Sequence, residues 1–200
     1  MKIFDVLIIG GGAAGMSCAL VLGSANSKPF ALGKKVGIIM HQKNSALSTG
    51  VFNNVLGIKA GTTGKEILAD GKQHLAETYP HVIQIENEKV SQIEGESGNF
   101  RVITNKNQYQ AKIIVVAVGP SKSFNIEGLR QYVQAHGKLP VAKKRIELKN
   151  TDQKVTDGIY VVGILAGWIS QFSIAAGSGA LIATDILKLW NAGNPTVIHD

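Results

Sequence analysis

The chain has 200 residues and a formal net charge of +7, with 44% hydrophobic and 18% charged residues. This composition excludes a disordered chain and is sufficient for a buried core. The single cysteine, Cys18, excludes an internal disulfide, a C-x-x-C redox pair and a cysteine metal cluster, and the histidine spacing predicts no metal site.

The start of the chain predicts a strand, a glycine turn and a helix. Residues 3–9 form an apolar, β-branched run, typical of a strand buried on both faces, and residues 13–21 follow a helical pattern. Between them, Gly10, Gly12 and Gly15 have the G-x-G-x-x-G spacing of dinucleotide-binding turns. We expect the first glycine to allow a tight turn, the second to let the backbone approach a pyrophosphate, and the third to permit close helix–strand packing.

A second strand is predicted over residues 36–40, and it ends without an acidic residue. Dinucleotide sites often carry Asp or Glu here, where it holds a ribose hydroxyl. In this chain Met40 is followed by His41 and Gln42. Either polar side chain can make one hydrogen bond, but neither replaces a carboxylate that accepts two, which weakens an ordinary NAD interpretation.

The middle of the chain predicts a helix followed by short strands. Thr63 is the predicted N-cap of a helix over residues 64–77, and residues 82–85 are predicted to be a strand. Three short strands separated by turn residues then predict an antiparallel meander: residues 89–94, 100–104 and 108–111. A buried strand is predicted over residues 113–118.

The last third of the chain begins with a hydrophilic segment, residues 121–155, which contains one predicted helix over residues 126–135. The last core strand is predicted over residues 158–163, and residues 173–183 predict a helix rich in alanine and glycine. The small side chains of this helix allow close approach of a neighbour. No apolar run has the length of a membrane span, so we expect a soluble, cytoplasmic protein without a membrane partner.

In this order, the segments resemble the FAD domain of the thioredoxin-reductase-like, FAD-dependent pyridine nucleotide-disulfide oxidoreductases. The motifs that carry the resemblance are the opening strand with its glycine turn, the loop at residues 52–57, the strand ending at Gly119, and Ser170-Gln171 with the helix that follows. The resemblance covers residues 1–120 and 156–190. It implies an α/β fold: a three-layer FAD/NAD(P)-binding, Rossmann-like domain with a parallel sheet and a small antiparallel β-meander, forming one domain over residues 1–200.

The resemblance also implies FAD as the cofactor. The residues that correspond to the family's cofactor contacts are Gly10, Gly12, Ala13, Ala14, Gly15, Met40, His41, Gln42, Asn53, Lys89, Val90, Ala117, Val118, Gly119, Gly163, Ile164, Gln171, Ala175 and Ala176. In the family, a glutamine and a helix N-terminus lie against the flavin, which corresponds to Gln171 and the helix after it. No acid–base or nucleophile constellation is visible, so no catalytic residue is identified.

The chain departs from the family pattern at several places. Residues 121–155 form a short connection where the family has its NAD(P)H domain with the Cys-x-x-Cys pair. Ile164 replaces the carboxylate that holds the ribityl chain, and Val118 replaces a threonine. We therefore expect FAD binding without thioredoxin reduction.

Three functions stay open at this stage. The first is an FAD-dependent oxidoreductase whose electron donor and acceptor, small molecules or proteins, the sequence does not identify. The second is a degenerate nucleotide-binding or regulatory module without turnover, which the two missing carboxylates favour. The third is an RNA-associated flavoprotein, suggested by the +7 charge alone. Scattered lysines and arginines are more typical of a solvated face, so we expect no nucleic-acid partner, and a homodimer is compatible with the sequence.

Overall fold

A computed structural model describes residues 1–41 and 46–198. Within them, the strands and helices in chain order are β1 (Lys2–Ile9), α1 (Ala13–Ser24), β2 (Val36–Met40), β3 (Val51–Phe52), β4 (Thr62–Thr63), α2 (Gly64–Thr78), β5 (Ile83–Glu86), β6 (Val90–Glu96), β7 (Asn99–Thr104), β8 (Gln108–Val116), β9 (Val133–Ala135), β10 (Ile146–Leu148), β11 (Lys154–Thr156), β12 (Ile159–Val161) and α3 (Phe172–Trp190).

The central sheet has the strand order β11-β12-β8-β1-β2-β5. In this order every neighbouring pair is parallel except β11 with β12, which confirms the predicted parallel sheet. β7 and β6 extend the same sheet from β8 as antiparallel strands. In β1, Val6, Leu7, Ile8 and Ile9 are all buried, because both faces of this strand are covered. The glycine turn that follows β1 therefore lies at the carboxyl edge of the sheet, where open parallel sheets bind their ligands.

The two faces of the sheet pack against different layers. Val6 and Ile8 share a core with α1 and α3, whereas Leu7 and Ile9 share a second core with β6 and β7. β8 belongs to two layers, because its first half pairs with β7 and its second half with β12. The predicted three-layer α/β fold with a small antiparallel meander is confirmed, and the strands predicted at residues 108–111 and 113–118 form one continuous strand.

The predicted helix over residues 126–135 is wrong. Glu127 lies alongside β6, where its carbonyl oxygen accepts the amide of Ile93 at 2.9 Å. Gly128 then takes a φ of 88°, which interrupts any helix. The last three residues of the segment form β9, which pairs with β10. Long-range strand pairing therefore overrides the local helical pattern.

α3 corrects the expectation that no segment has the length of a membrane span. Its 19 residues include an 18-residue window of mean hydropathy 1.4, long and apolar enough for a span by length and composition. A core helix of a soluble protein passes the same test, and Ile182, Ile186 and Leu187 are buried in the core shared with α1. The apolar face of α3 is therefore accounted for, in part, by packing within the fold.

Candidate functional site

A cleft of about 890 Å³ opens at the carboxyl edge of the parallel sheet. Its walls come from the glycine turn after β1, the end of β2, one face of α2, the segment after β8, and the start of α3. This is the crevice in which open α/β sheets bind nucleotides.

Glycine has a different structural role at each of the three positions in the turn. Gly10 has a φ of 117°, and a Cβ there would lie 2.5 Å from the carbonyl oxygen of Ala117. A Cβ on Gly15 would lie 1.9 Å from the carbonyl oxygen of Gly10, so a side chain would separate α1 from the strand. Gly12 has no atom within 4 Å of its Cβ position and lines the cleft. The turn therefore keeps its backbone accessible to a ligand at Gly12.

The amino terminus of α1 meets the cleft without a side-chain cap. Gly12 is its N-cap residue, and Ala13 and Ala14 of the first turn line the cleft. The first amides of a helix have no intrahelical acceptor, and they carry the positive end of the helix dipole. This end of α1 can therefore bind a pyrophosphate.

The start of α3 forms another wall, to which Gln171 and Ala175 contribute. The Oε1 atom of Gln171 accepts the amide of Ile174 at 2.9 Å, so this side chain caps the helix. Gln171 was predicted as a flavin contact, and its position at the cleft is compatible with both roles.

The loop before α3 is held by a buried polar network. Gly163, which lines the cleft, donates its amide to the Ser178 hydroxyl at 2.8 Å. That hydroxyl donates to Oε1 of Gln153, which also accepts Nε1 of Trp168 at 2.8 Å. Gln153 is only 3% exposed and comes from the connecting segment. No sequence signal marks it, because a glutamine in a hydrophilic stretch is indistinguishable from a solvated one.

α2 gives the cleft a basic wall that has no counterpart among the predicted site residues. Lys65, Leu68, Ala69 and Lys72 all line the cleft, and their spacing of three and four residues places them on one helical face. The periodicity is visible in the sequence. The assignment of that face to the cleft depends on how α2 packs against α1 and the turn at residues 46–49.

Glu88 is the acidic residue among the described cleft-lining residues. Its Oε2 accepts the Thr104 hydroxyl at 2.7 Å, and its Oε1 accepts Nδ2 of Asn107 at 2.7 Å and the Tyr109 hydroxyl at 2.9 Å. Burial acts to raise the pKa of Glu88, but these hydrogen bonds outweigh it, so the pKa lies below its ordinary value. The carboxylate is therefore charged and already satisfied by protein donors.

The structure brings most of the predicted cofactor residues together. Those that line the cleft are Gly10, Gly12, Ala13, Ala14, Met40, His41, Lys89, Val90, Ala117, Val118, Gly119, Gly163, Ile164, Gln171 and Ala175. Gly15 packs beneath the turn, and Ala176 is outside the lining. Asn53 also lies outside it and accepts the Gly61 amide at 2.8 Å. Gln42 falls outside the described residues.

Cys18 is buried, and the described residues contain no cluster that could hold a metal ion. Burial raises the pKa of Cys18 to about 12, so its thiol stays protonated. Among residues 1–41 and 46–198, no group of three or more His, Cys, Asp or Glu could hold a metal ion.

The chain is similar in sequence to a curated bacterial oxidoreductase. The uncharacterized oxidoreductase CzcO of Bacillus velezensis is 26% identical over 195 residues, which cover 92% of this chain and 52% of that protein. The chain thus spans about half the length of this relative.

Solved structures show the same fold. A thioredoxin reductase from Gloeobacter violaceus has a TM-score of 0.74 at 15% identity, with 100% of both chains covered. A ferredoxin-flavin thioredoxin reductase from Clostridium acetobutylicum has a TM-score of 0.68 at 18% identity, covering 96% of this chain and 99% of that chain. A sequence profile of the pyridine nucleotide-disulphide oxidoreductases matches residues 4–176, and this protein therefore belongs to that family.

Proposed function

We propose that the protein is an FAD-binding oxidoreductase that holds its cofactor in the cleft, with the pyrophosphate on the glycine turn of residues 10–15. Family membership implies an oxidoreductase-type domain that binds a flavin. The observation that carries the proposal is the uncapped amino terminus of α1 behind Gly12, which is open to the cleft.

The described residues fit FAD. The first-turn amides of α1 would hold the pyrophosphate, and the backbone at Gly163 and the start of α3 would hold the flavin end. The cleft volume of about 890 Å³ lies within the range of roughly 300–1,000 Å³ typical of ligand sites. The bound flavin would supply the redox chemistry, and the protein would bind and orient it.

We further propose that electrons pass between the flavin and an external donor and acceptor without a protein disulfide. The support is that Cys18 is the single cysteine and is buried with a protonated thiol. In this proposal residues 121–155 stand in place of a second nucleotide-binding domain, and the protein works in the cytoplasm.

A degenerate module without turnover is the second candidate. Two positions favour it, because Met40 ends β2 where a ribose-binding acid is common, and Ile164 stands where the family has an aspartate. Such a module would keep the fold and bind a nucleotide without passing electrons.

The decisive experiment is the visible spectrum of the purified chain, followed by titration of the apoprotein with FAD and measurement of flavin fluorescence. We expect bound flavin, or quenching of added FAD. Gly12→Val should weaken FAD binding by about tenfold or more, because the valine side chain would project into the cleft without a clash inside the protein. Gly177→Ala is the matched control, since its added methyl also meets no neighbour. A colourless wild-type protein that leaves FAD fluorescence unchanged would refute FAD binding.

A further inference from the structure

We propose that the α2 side of the cleft recognises a phosphate monoester on the ribose of an adenine nucleotide. This inference rests on the proposed function in so far as both use the same nucleotide cleft. It goes further because FAD carries no such phosphate. The ligand class is therefore an adenosine nucleotide phosphorylated at the 2′ or 3′ position, which would compete with FAD for the cleft.

The first support is the end of β2. Sites for an unmodified ribose place a carboxylate here, which accepts the ribose hydroxyls and repels a phosphate. In this protein the Met40 side chain packs over Gly11, where a Cβ would lie 2.4 Å from its Cγ atom. His41 follows, is exposed and lines the cleft. The described residues of β2 and His41 therefore carry no carboxylate, and Glu86, which neighbours Met40 on β5, pairs with Lys72.

The second support is the set of lysines that line the cleft. Lys65 and Lys72 are separated by two helical turns, and both line the cleft from α2. Lys89 lines it from the segment after β5, which is the neighbour of β2 in the sheet. Three lysines therefore line the cleft from α2 and from the segment after β5.

The third support is the charge balance of this wall. Glu88 has both oxygens occupied by Thr104, Asn107 and Tyr109, so it does not pair with the lysines. Lys72 pairs with Glu86 at 3.2 Å, but both side chains are substantially exposed and such a pair is weak. Lys65 and Lys89 form no salt bridge within the part of the chain that the structure describes. A phosphate monoester, with its charge of nearly −2, would satisfy them.

The experiment uses two ligand pairs that differ only in the ribose phosphate. NADPH and NADH differ by the 2′-phosphate, and coenzyme A and dephospho-coenzyme A differ by the 3′-phosphate. Binding to the FAD-free full chain is measured by calorimetry at two salt concentrations. We expect the phosphorylated member of at least one pair to bind about tenfold more tightly, because charge-assisted hydrogen bonds form only with it. The advantage should shrink at high salt.

The matched variants are Lys65→Gln with Lys72→Gln, against Lys188→Gln, whose lysine is exposed in the last turn of α3. The double variant should lose the preference, and the control should keep it. Melting curves verify that all three remain folded. Equal affinities within both pairs, an absence of binding by all four ligands, or a preference that survives in the double variant would overturn the inference.

FAD titration of the same proteins separates this inference from the proposed function. FAD binding without any phosphate preference refutes the ribose-phosphate site alone. A phosphate preference without FAD binding refutes the FAD proposal alone.

Discussion

The Nε2 atom of the His136 ring forms a hydrogen bond of 3.0 Å with the carbonyl oxygen of Ile164. The Nδ1 atom of the same ring lies 3.2 Å from the amide nitrogen of Lys138 and 3.6 Å from Oε2 of Glu147. The same carbonyl also accepts the Gly167 amide at 3.0 Å. Because Ile164 lines the cleft and His136 belongs to the connecting segment, that segment fixes one wall of the cleft.

Replacement of His136 tests this coupling. The side chain is 1% exposed, so His136→Ala would remove a hydrogen bond and leave a cavity. We expect a loss of about 2 kcal/mol in the free energy of unfolding, measured with urea, together with weaker FAD binding. His136→Gln keeps a hydrogen-bond donor near the position of Nε2. It should therefore recover part of the lost stability and part of the lost FAD affinity. Unchanged stability and FAD affinity in the alanine variant would show that the contact does not position the wall.

Ile164 itself tests how the flavin lies in the cleft. In the family that the sequence resembles, an aspartate at this place accepts a hydrogen bond from the ribityl chain. Ile164 is half-buried and lines the cleft, so Ile164→Asp should present its carboxylate to the ligand. We expect FAD to bind about tenfold more tightly, because a hydrogen bond to a charged group contributes roughly 1.5–3 kcal/mol.

The control for that substitution is Ile164→Asn. Asparagine has nearly the same shape as aspartate but no charge, so this variant should gain less affinity for FAD. FAD titrations and melting curves are run in parallel. A clear drop in melting temperature without any gain in affinity would mean that Ile164 serves packing and that the flavin takes another pose.

Glu88 makes stability depend on pH. Since its pKa is lowered in the folded protein from an ordinary 4.5, the unfolded chain takes up the proton first as the pH falls. The stabilisation is therefore complete above the ordinary value and is lost as the pH falls through the folded pKa. Unfolding free energies at pH 7, 5, 4 and 3 should decline less steeply in Glu88→Gln than in the wild type. Identical slopes would argue that the carboxylate is not held by its three donors.

Local signals explain why so much of the fold was predictable. Thr63 and Glu66 form a capping box in which the Thr63 amide donates to Glu66 Oε2 at 2.7 Å, so α2 begins where the sequence predicts. The glycine turn is similarly decided by its own backbone, since Gly10 needs a positive φ. In both cases the residues that determine the structure lie within a few positions of each other.

The remaining features depend on contacts between distant residues. Gln153 and Ser178 lie 25 residues apart and meet only because the connecting segment packs against α3. Residues 133–135 look helical in sequence but pair with β10. The sequence predicts Lys72 only as an exposed helix residue, whereas in the folded protein it lines the cleft. These roles have no local pattern, so sequence periodicity could not assign them.

The crossing of α1 and α3 gives the sharpest test of the architecture, because α3 carries two glycines with opposite surroundings. A Cβ on Gly179 would lie 1.9 Å from the carbonyl oxygen of Ala14, a backbone atom in the first turn of α1. A Cβ on Gly177 would have no atom within 4 Å. The same substitution two residues apart should therefore change stability in opposite directions.

Gly179→Ala must push α3 away from α1, and we expect it to lower the free energy of unfolding by about 3 kcal/mol. Gly177→Ala removes a flexible residue from an exposed helix position and should raise it by roughly 0.5–1 kcal/mol. Urea unfolding of the two variants and the wild type measures both effects. Gly179→Ala should also weaken FAD, because Ala14 lies at the end of α1 that meets the cleft. If Gly179→Ala is instead as stable as Gly177→Ala, the two helices do not touch at this point, and the amino terminus of α1 is positioned by β1 alone.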